Sequence, residues 1–486
     1  MSVVETCSNY IQGRRFRDEH GNQKLLYANE SFWMRQENKF VRRSMDEMCD
    51  DVLLWMNEVG CVPSNFKFSH IKDIVYNLRA ICKTSDLIPG TFLGSPNNTN
   101  EGFIPVSNGV LKIQSLLGYM HLELLPHTPL FFAPYILPYQ FNERAGCKTF
   151  INFLSDTLEE DQIQLLQEWF GYNLLPINVA QKFMIYYGMG ANGKSVISLI
   201  QRLLLGEENV SCVPLQAFMP NSRFGLASTE GKLANIVEEI DELDSVLAGQ
   251  FKNYIGGGEI SIERKFQSPY KMVPTARLTF STNSLPRFKD ASDGIMRRIM
   301  ILHFMKQFLN EGLQDKRLID KNFWIESGEL SGILNWSLRG LKRLMRNRWE
   351  FTTPRSSSEI IETYKLSTNP AIRFLQDYIE TSQGQELPGT PLYQAYRKYC
   401  SNNGYSHCDA DVFGKYVPRV FPTVRTSKNS LYRQGFRTKV WFGISYKDNP
   451  ESRVTHLTHE NPINLISDEH SGALRLIEGE GCSNVS

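Results

Sequence analysis

One short glycine-rich stretch constrains the fold of this 486-residue chain more than any other. Residues 188–195 read GMGANGKS and fit the pattern G-x-x-x-x-G-K-[ST] at every position. The apolar run FMIYY at 183–187 is short and bounded by glycine, which predicts a buried strand. Apolar residues then recur at helical spacing from Val196 to Leu205, which predicts a helix. Strand, glycine loop and helix in this order are the context of a phosphate-binding loop, or P-loop.

The residue types in this loop suit a nucleotide triphosphate. Glycines let several backbone N–H groups converge on one anion, and the positive end of the following helix adds to the attraction. Lys194 can reach the β- and γ-phosphates, and the Ser195 hydroxyl can bind Mg²⁺. We therefore predict ATP and Mg²⁺ as cofactors. The predicted nucleotide-binding residues are Gly188, Met189, Gly190, Ala191, Asn192, Gly193, Lys194 and Ser195. The alternative is a glycine-rich turn that opens an ordinary helix.

Paired carboxylates follow a second apolar strand candidate at 233–237. A magnesium-dependent NTPase needs one carboxylate to hold the metal, directly or through water, and another to polarise the attacking water. Glu238 and Glu239 are predicted for these two roles, with Glu238 and Ser195 as the metal ligands. The alternative is that the acidic residues at 238–244 form a solvated helix face.

A third strand candidate, ARLTFSTN at 276–283, ends in a residue that could sense the γ-phosphate. Asn283 could hydrogen-bond the phosphate or the nucleophilic water, although an asparagine at a strand end is also a common turn residue. Arg297 and Arg298 directly precede a fourth strand candidate at 299–302. One of them could neutralise charge in a neighbouring subunit's site, and the alternative is a paired surface arginine.

A hairpin candidate lies between the second and third strands. Alternation over 259–263 predicts one arm, which places Arg264, Lys265 and Phe266 at or near the tip. Two cations beside an aromatic ring are typical of a contact with single-stranded nucleic acid. The alternative is an exposed hairpin with ordinary surface charge.

The C-terminal part has the pattern of a small DNA-binding module. Helical spacing at 371–379, 391–400 and 412–417, with Pro418 as a stop, precedes a strand candidate at 438–444. Helices followed by a basic β wing indicate a winged-helix domain, and a generic protein-contact domain is the alternative. The basic residues of this end are Lys415, Arg419, Arg425, Lys428, Arg433, Arg437 and Lys439.

Length and composition predict several domains. A chain of this length is expected to hold two to four, and its net charge of +1 leaves any nucleic-acid contact to local patches. Nine scattered cysteines without a C-x-x-C pair, no apolar run long enough for a bilayer and no apolar leader predict a cytoplasmic protein without a membrane partner. The predicted domains are a flexible lead-in (1–30), a mostly helical module with a small β insert (31–165), an ATPase core (166–310), a helical lid and linker (311–355), a winged-helix-like domain (356–446) and a disordered tail (447–486).

Within these domains, three local predictions are specific. Residues 45–59 and 71–81 are predicted helices, since apolar residues recur there at helical spacing. Residues 103–113 are predicted to form two strands joined by a tight Asn-Gly turn. The stretch TPRSSS at 353–358 is a predicted linker.

The order of the motifs resembles the superfamily 3 helicases, in particular the phage and plasmid primase–helicase proteins related to the poxvirus type. GMGANGKS resembles their Walker A motif, NIVEEIDE their Walker B, and GGGEISIERKFQSPY their DNA-contacting pre-sensor hairpin. LTFSTNSLPRFKDASDGIMRR resembles motif C with its trailing arginines, which implies sensor 1 at Asn283. The resemblance extends weakly to about residue 446. The family's acidic motif often reads Asp-Glu, whereas this chain has Glu-Glu.

The resemblance implies an α/β fold with a P-loop AAA+-like ATPase core. It also implies a hexamer that hydrolyses ATP between subunits, translocates on single-stranded DNA and unwinds forked DNA, with Arg297 or Arg298 acting in trans. About a hundred residues precede the family-like region, so we expect no primer synthesis by this chain and a separate primase as a possible partner. A replication initiator that uses ATP as an assembly switch and a protein-remodelling ATPase are the competing hypotheses.

Overall fold

The structure is a computed structural model, and the chain divides into two compact units, Met1–Lys365 and Leu366–Ser486. It describes residues 3–13, 16–17, 21–28, 30–62, 67–84, 87–93, 102–113, 122–218, 222, 225–240, 248–263, 269–286, 293–308, 315–427, 431–433 and 436–447. Among these residues, we find no helix whose length and apolar character would let it cross a bilayer. The predicted tail at 447–486 lies outside the described residues except for Lys447.

The first unit opens with a small antiparallel sheet packed against helices. Its elements are α1 (Val3–Gln12), β1 (Leu25–Ala28), β2 (Ser31–Gln36), β3 (Lys39–Arg43), α2 (Met45–Glu58) and α3 (Phe68–Ile81), and the strand order is β1-β2-β3. Helices α2 and α3 confirm the two predicted helices. The flexible lead-in over 1–30 was a wrong prediction, because Cys7, Tyr10 and Ile11 of α1 are buried. These three residues share one helical face, a signal too short to stand out in a polar segment.

A second group of short strands follows, so the module before the central sheet is mixed rather than mostly helical. The elements are β4 (Thr91–Phe92), β5 (Phe103–Val106), β6 (Gly109–Lys112), β7 (Leu124–Leu125) and β8 (Phe131–Phe132), then α4 (Lys148–Thr157) and α5 (Glu160–Asn173). Strands β5 and β6 form the predicted hairpin, but its turn lies one residue earlier than predicted: Val106 pairs with Gly109, so the turn residues are Ser107 and Asn108 and Gly109 begins β6. Two-residue strands carry too few residues for an alternating pattern, which is why the sequence underestimated the β content.

A five-stranded parallel sheet forms the centre of the first unit. Its elements are β9 (Phe183–Tyr187), α6 (Lys194–Leu205), β10 (Val210–Ser211), β11 (Ala234–Val237), α7 (Ala248–Gly256), β12 (Ile260–Ile262), β13 (Tyr270–Met272), β14 (Arg277–Thr282), α8 (Asp293–Met296) and β15 (Ile299–His303). The order is β10-β11-β14-β9-β15, and every neighbouring pair is parallel. Strands β12 and β13 form a separate antiparallel hairpin. All four predicted core strands are present.

Both faces of the central sheet are covered by apolar side chains. Met184 and Tyr186 of β9 belong to one buried cluster, whereas Phe183 and Ile185 belong to another. Alternate residues of a strand point to opposite faces, so β9 lies between two layers of packing. Because the strands are parallel, the residues that follow β9, β11 and β14 meet at one edge of the sheet.

Three further helices complete the first unit: α9 (Lys321–Glu326), α10 (Glu329–Arg346) and α11 (Arg355–Thr368). Helices α5 and α10 approach closely, since a Cβ atom on Gly340 would lie 2.2 Å from the Gln167 carbonyl oxygen. Arg343 donates to the buried Glu168 carboxylate at 2.6 Å in the same contact. The predicted boundary between 165 and 166 falls inside α5, and the predicted linker at 353–358 overlaps the start of α11.

The second unit contains a three-stranded sheet and three helices. Its elements are α12 (Pro370–Tyr378), β16 (Ile379–Pro388), α13 (Gly389–Asn403), α14 (Ala410–Val420), β17 (Arg425–Thr426), β18 (Leu431–Arg433), β19 (Phe436–Thr438) and β20 (Val440–Tyr446), with sheet order β16-β20-β17. Pro418 lies inside α14 and does not stop it. A proline so near the C-terminal end removes only one helical donor, and Phe421 still donates its N–H to Val417.

Candidate nucleotide-binding site

The glycine loop occupies the turn between β9 and α6, as predicted. Gly193 caps α6 with a left-handed backbone at φ 88°. A Cβ atom there would lie 3.0 Å from the Phe153 ring, so both the backbone conformation and the packing against α4 favour glycine. Ala191 also has a positive φ, 53°, which is uncommon outside glycine and marks a tightly constrained loop.

Lys194 is the cation of the glycine loop. Its side chain is buried, and its ammonium donates to the carbonyl oxygen of Gly188, to Asn192 Oδ1 at 3.2 Å and to Asn283 Oδ1 at 3.1 Å. Burial lowers the pKa of this ammonium, and the negative charge of Glu239 acts in the opposite direction. All three hydrogen-bond acceptors are neutral, and no ion pair of Lys194 occurs within the part of the chain that the structure describes, so its charge is available for a phosphate.

Asn192 fixes the shape of the loop from inside. Its side chain is 2% exposed, and its amide donates to the Phe304 carbonyl oxygen at 3.5 Å. A Cβ atom on Gly188 would lie 2.5 Å from the Asn192 amide nitrogen, so the loop closes on itself only with glycine there. Gln307 donates to the Met189 carbonyl oxygen at 3.0 Å and holds the other side of the loop.

The two predicted carboxylates follow β11 and reach the same edge of the sheet. Glu238 and Glu239 are both exposed and line the same cleft as the loop. Glu238 pairs with Arg202 of α6, with Nε 3.6 Å from Oε1. Glu239 is close enough to Lys194 to affect its pKa. The two acids are therefore in different electrostatic surroundings, a distinction that the sequence does not reveal.

The residues present fit a magnesium ion that shares its ligands with a nucleotide. No group of three or more His, Cys, Asp or Glu side chains with metal-binding geometry occurs in the described part of the chain. Mg²⁺ usually takes one or two protein oxygens and completes its shell with phosphate oxygens and water. Ser195 and Glu238, which both line the cleft, are sufficient for such a site.

The cleft has a volume of about 850 Å³, and two of its walls were not foreseen from the sequence. One is a face of α4, and the other is the turn at 315–319. Phe153 of α4 connects the first wall to the loop through its contact with Gly193. Only helical spacing on α4 could have indicated this wall, and no local signal marks the turn. The lining residues from these walls are Lys148, Thr149, Asn152, Phe153, Asp156, Asp315, Lys316, Arg317, Leu318 and Ile319.

Arg297 and Arg298 lie away from this cleft. They directly precede β15, whose first residue, Ile299, pairs with Phe183 at the start of β9. The glycine loop follows the other end of β9, so the arginines and the loop of one chain lie at opposite edges of the sheet. Lys182 donates to the Arg297 carbonyl oxygen at 2.5 Å, and the pKa of Lys182 is lowered by burial and by the two nearby arginines.

The three predicted DNA-contacting residues, Arg264, Lys265 and Phe266, lie outside the described residues. The arms that carry them are described: Ile262 of β12 faces Tyr270 of β13. The hairpin itself is therefore confirmed, and the role of its tip stays a prediction.

Two family models match two separate parts of the chain. Residues 186–298 match a family of unknown function, DUF5906, and residues 368–433 match the RFX DNA-binding domain. The first match contains the whole glycine loop, β11, the hairpin and β14. The second lies entirely within the second unit.

The chain is similar to a viral helicase-like protein. "Putative helicase L207/L206" of Acanthamoeba polyphaga mimivirus is 22% identical over 283 residues, which cover 54% of this chain and 29% of the relative. The DNA-binding protein RFX2 of Mus musculus is 32% identical over 87 residues, or 18% of this chain and 12% of the relative. This chain thus spans less than a third of either relative.

Solved structures give a weaker likeness over most of the chain. The A-form apo structure of the NrS-1 C-terminal region has a TM-score of 0.44 and 11% identity, covering 86% of this chain and 95% of that one. An apo structure of NrS-1 residues 305–718 also gives 0.44 and 11%, with coverages of 87% and 96%. At this TM-score the likeness carries no functional argument.

Proposed function

We propose that this protein is an ATP-dependent DNA helicase of the superfamily 3 type that acts in the replication of a virus, phage, plasmid or integrated mobile element. One observation carries the proposal: Lys194, Glu239 and Asn283 follow three different strands and converge in one cleft. A cation, an acid and an amide at the carboxyl edge of a parallel sheet are the parts that phosphoryl transfer requires. The similarity to a viral helicase agrees with this assignment.

We propose a role for each of these side chains in ATP hydrolysis. The loop backbone and Lys194 would hold the β- and γ-phosphates, and a bound Mg²⁺ would neutralise charge on them from Ser195 and Glu238. Glu239 would accept a proton from the attacking water, while Asn283 orients that water or the γ-phosphate. As the water oxygen bonds to the γ-phosphorus, the bond to the β–γ bridging oxygen breaks and ADP leaves.

We propose an assembly of several copies, which the position of the arginines supports. Arg297 and Arg298 cannot complete the cleft of their own chain, because the length of the sheet separates them from the loop. Strands of five residues span roughly 15 Å. An adjacent copy could bring either arginine to the γ-phosphate, which is the arrangement of a ring, and we propose a hexamer.

The second unit is proposed to bind DNA as a winged-helix domain. Its order of α12, β16, α13, α14 and then antiparallel strands is the topology expected for that module, and it includes the match to the RFX DNA-binding domain. Lys415 and Arg419 are exposed on α14, and Lys439 lies over the Trp441 ring at 3.9 Å. Exposed cations on a helix and directly before strand β20 suit a phosphate backbone.

A strand-displacement assay with forked DNA tests the proposal. The purified chain should hydrolyse ATP, respond to single-stranded DNA and displace the labelled strand, whereas Lys194→Ala should lose hydrolysis and displacement. A protein that turns over no ATP and stays monomeric with ATP and DNA would overturn the helicase assignment.

A replication initiator that binds origin DNA without processive unwinding is the second candidate, favoured by the match of the second unit to a DNA-binding domain. That function predicts tight binding to origin duplex and ATP-dependent assembly with no strand displacement. The same assay, combined with duplex binding, distinguishes it from the helicase.

A further inference from the structure

The sheet near the N-terminus contacts the central part of the first unit through Arg42 of β3. Arg42 Nη1 lies 2.6 Å from Glu230 Oε2, and Arg42 Nε donates to the Ser31 hydroxyl of β2 at 2.8 Å. The Arg42 and Glu230 side chains are only 24% and 21% exposed. A half-buried pair with this geometry is screened less by salt than a surface pair.

The same carboxylate oxygen also binds the predicted DNA-contacting hairpin. Tyr270 Oη donates to Glu230 Oε2 at 2.6 Å, and the Arg42 guanidinium lies 5.7 Å from the centre of the Tyr270 ring. Tyr270 pairs with Ile262, the last described pair before the segment that holds Arg264–Phe266 in the sequence. Arg42 therefore contacts the hairpin at Tyr270, the residue of β13 that lies nearest in sequence to the Arg264–Phe266 segment.

Glu230 lies in the turn that leads into β11, four residues before its first residue, Ala234. The other end of this strand is followed by Glu238 and Glu239, so β11 joins the contact to the edge of the sheet that carries the two acids. A cavity of about 310 Å³ lies beside the contact, lined by Trp33, Phe40, Arg42, Glu230 and Lys232 among others.

We propose that Arg42 is a positioning residue for the DNA-contacting hairpin: through Glu230 and Tyr270 it fixes the arm that carries the tip, so that movement driven by ATP hydrolysis is transmitted to DNA. This inference rests on the proposed helicase function. It assigns a role in the reaction to the N-terminal sheet, which no motif of the chain marks.

Hydrogen–deuterium exchange tests the contact without relying on activity. Arg42→Ala and Tyr270→Phe should each raise exchange of the β12–β13 amides several-fold in the nucleotide-free protein. Lys39→Ala is the matched control: Lys39 lies on the same strand and binds Glu208 at 2.7 Å, away from the hairpin, so its hairpin exchange should equal wild type. Unchanged exchange in both test variants would overturn the proposal.

Coupling between hydrolysis and unwinding tests the role. Arg42→Ala should keep basal ATP hydrolysis within about twofold of wild type and lower the base pairs opened per ATP by about tenfold, because a misplaced contact group loses effective alignment. Arg42→Lys should restore part of the coupling, as it keeps a cation for Glu230. Raised exchange with wild-type coupling would overturn the positioning role. If wild type itself hydrolyses no ATP, the helicase assignment fails, while the exchange result still decides the contact.

Discussion

The ammonium of Lys194 lies 3.1 Å from the amide oxygen of Asn283, although 89 residues separate the two in the chain. Lys194 opens the helix after β9, and Asn283 follows the neighbouring strand β14. The contact places the predicted γ-phosphate sensor at the lysine that would bind that phosphate. An asparagine that served only as a turn residue would not have to lie beside this lysine.

Asn283→Ala should lower kcat for ATP hydrolysis by about 10- to 100-fold with little change in ATP affinity, since the amide acts on the reacting phosphate or water. Steady-state kinetics and fluorescent-nucleotide binding measure the two effects. Asn77→Ala, which removes an exposed amide bonded within α3, is the control and should have wild-type kinetics. An equal loss of binding and rate would instead indicate that Asn283 only shapes the loop.

Substitutions of Glu238 and of Glu239 are expected to impair different steps of ATP hydrolysis. Glu239→Gln should bind ATP normally and lose hydrolysis by about 100-fold or more, because no group then accepts the proton from water. Glu238→Gln should raise the Mg²⁺ concentration required for half-maximal rate. Magnesium titrations of ATPase activity in both variants distinguish these effects.

Arg202 tests the roles assigned to the two carboxylates, because it pairs with Glu238 and not with Glu239. Arg202→Ala should change the Mg²⁺ requirement in the same assay and leave the proton-transfer role of Glu239 intact. If Glu239→Gln proves to be the variant with the higher Mg²⁺ requirement, the two assigned roles are reversed.

Mixing inactive chains should restore hydrolysis if the arginines act in trans. Lys194→Ala lacks a working cleft but keeps its arginines, whereas Arg297→Ala has the converse defect. Random mixing should create a complete site at about one interface in four, and so return about a quarter of wild-type activity. Repeating the mixture with Arg298→Ala shows which arginine acts.

The control mixes two variants that each have a defective cleft, Lys194→Ala and Glu239→Gln. Because no chain in this mixture has a working cleft, ATP hydrolysis should not be restored. Lack of recovery with both arginine variants would show that neither arginine serves a neighbouring site.

Acidification should destabilise the protein partly through His303. Burial lowers the pKa of His303 below its ordinary 6.5, so the unfolded chain binds the proton more tightly than the folded one. Stability attributable to this residue is present above 6.5 and is lost as the pH falls from 6.5 through the folded-state pKa. His303→Phe keeps the stacking on Tyr187, where the ring centres are 5.3 Å apart, and removes the titration.

Urea midpoints at about pH 8 and about pH 5 measure this effect. The difference between the two pH values should be smaller in His303→Phe than in wild type. His303→Gln, which also cannot titrate, should show the same reduced difference even if its midpoints are lower at both pH values. An unchanged difference in both variants would contradict the role assigned to His303.

The strand, the glycine loop and the carboxylates could be predicted because each is a local pattern: five apolar residues, eight loop residues and two adjacent acids. The hairpin arms and the helices α2 and α3 were predictable for the same reason, since their apolar spacing extends over several turns or alternations. The errors fall where the pattern is short. Helix α1 has one buried face within ten residues, and β4, β7 and β8 have two residues each.

The sequence by itself determined which residues have the chemistry to bind a nucleotide. The backbone freedom of glycine and the charges of lysine and carboxylate are properties of the residue types and of their order within a short stretch of chain. Only the tertiary structure decided which of these residues lie next to each other. The parallel order β10-β11-β14-β9-β15 brings Lys194 to Asn283, places Arg297 at the opposite edge and adds α4 and the 315–319 turn to the cleft. Packing on both faces of the sheet fixes this strand order, and it joins residues that are too far apart in the chain for a local sequence pattern to connect them. The contact between Arg42 and Tyr270 likewise depends on tertiary packing between distant parts of the chain.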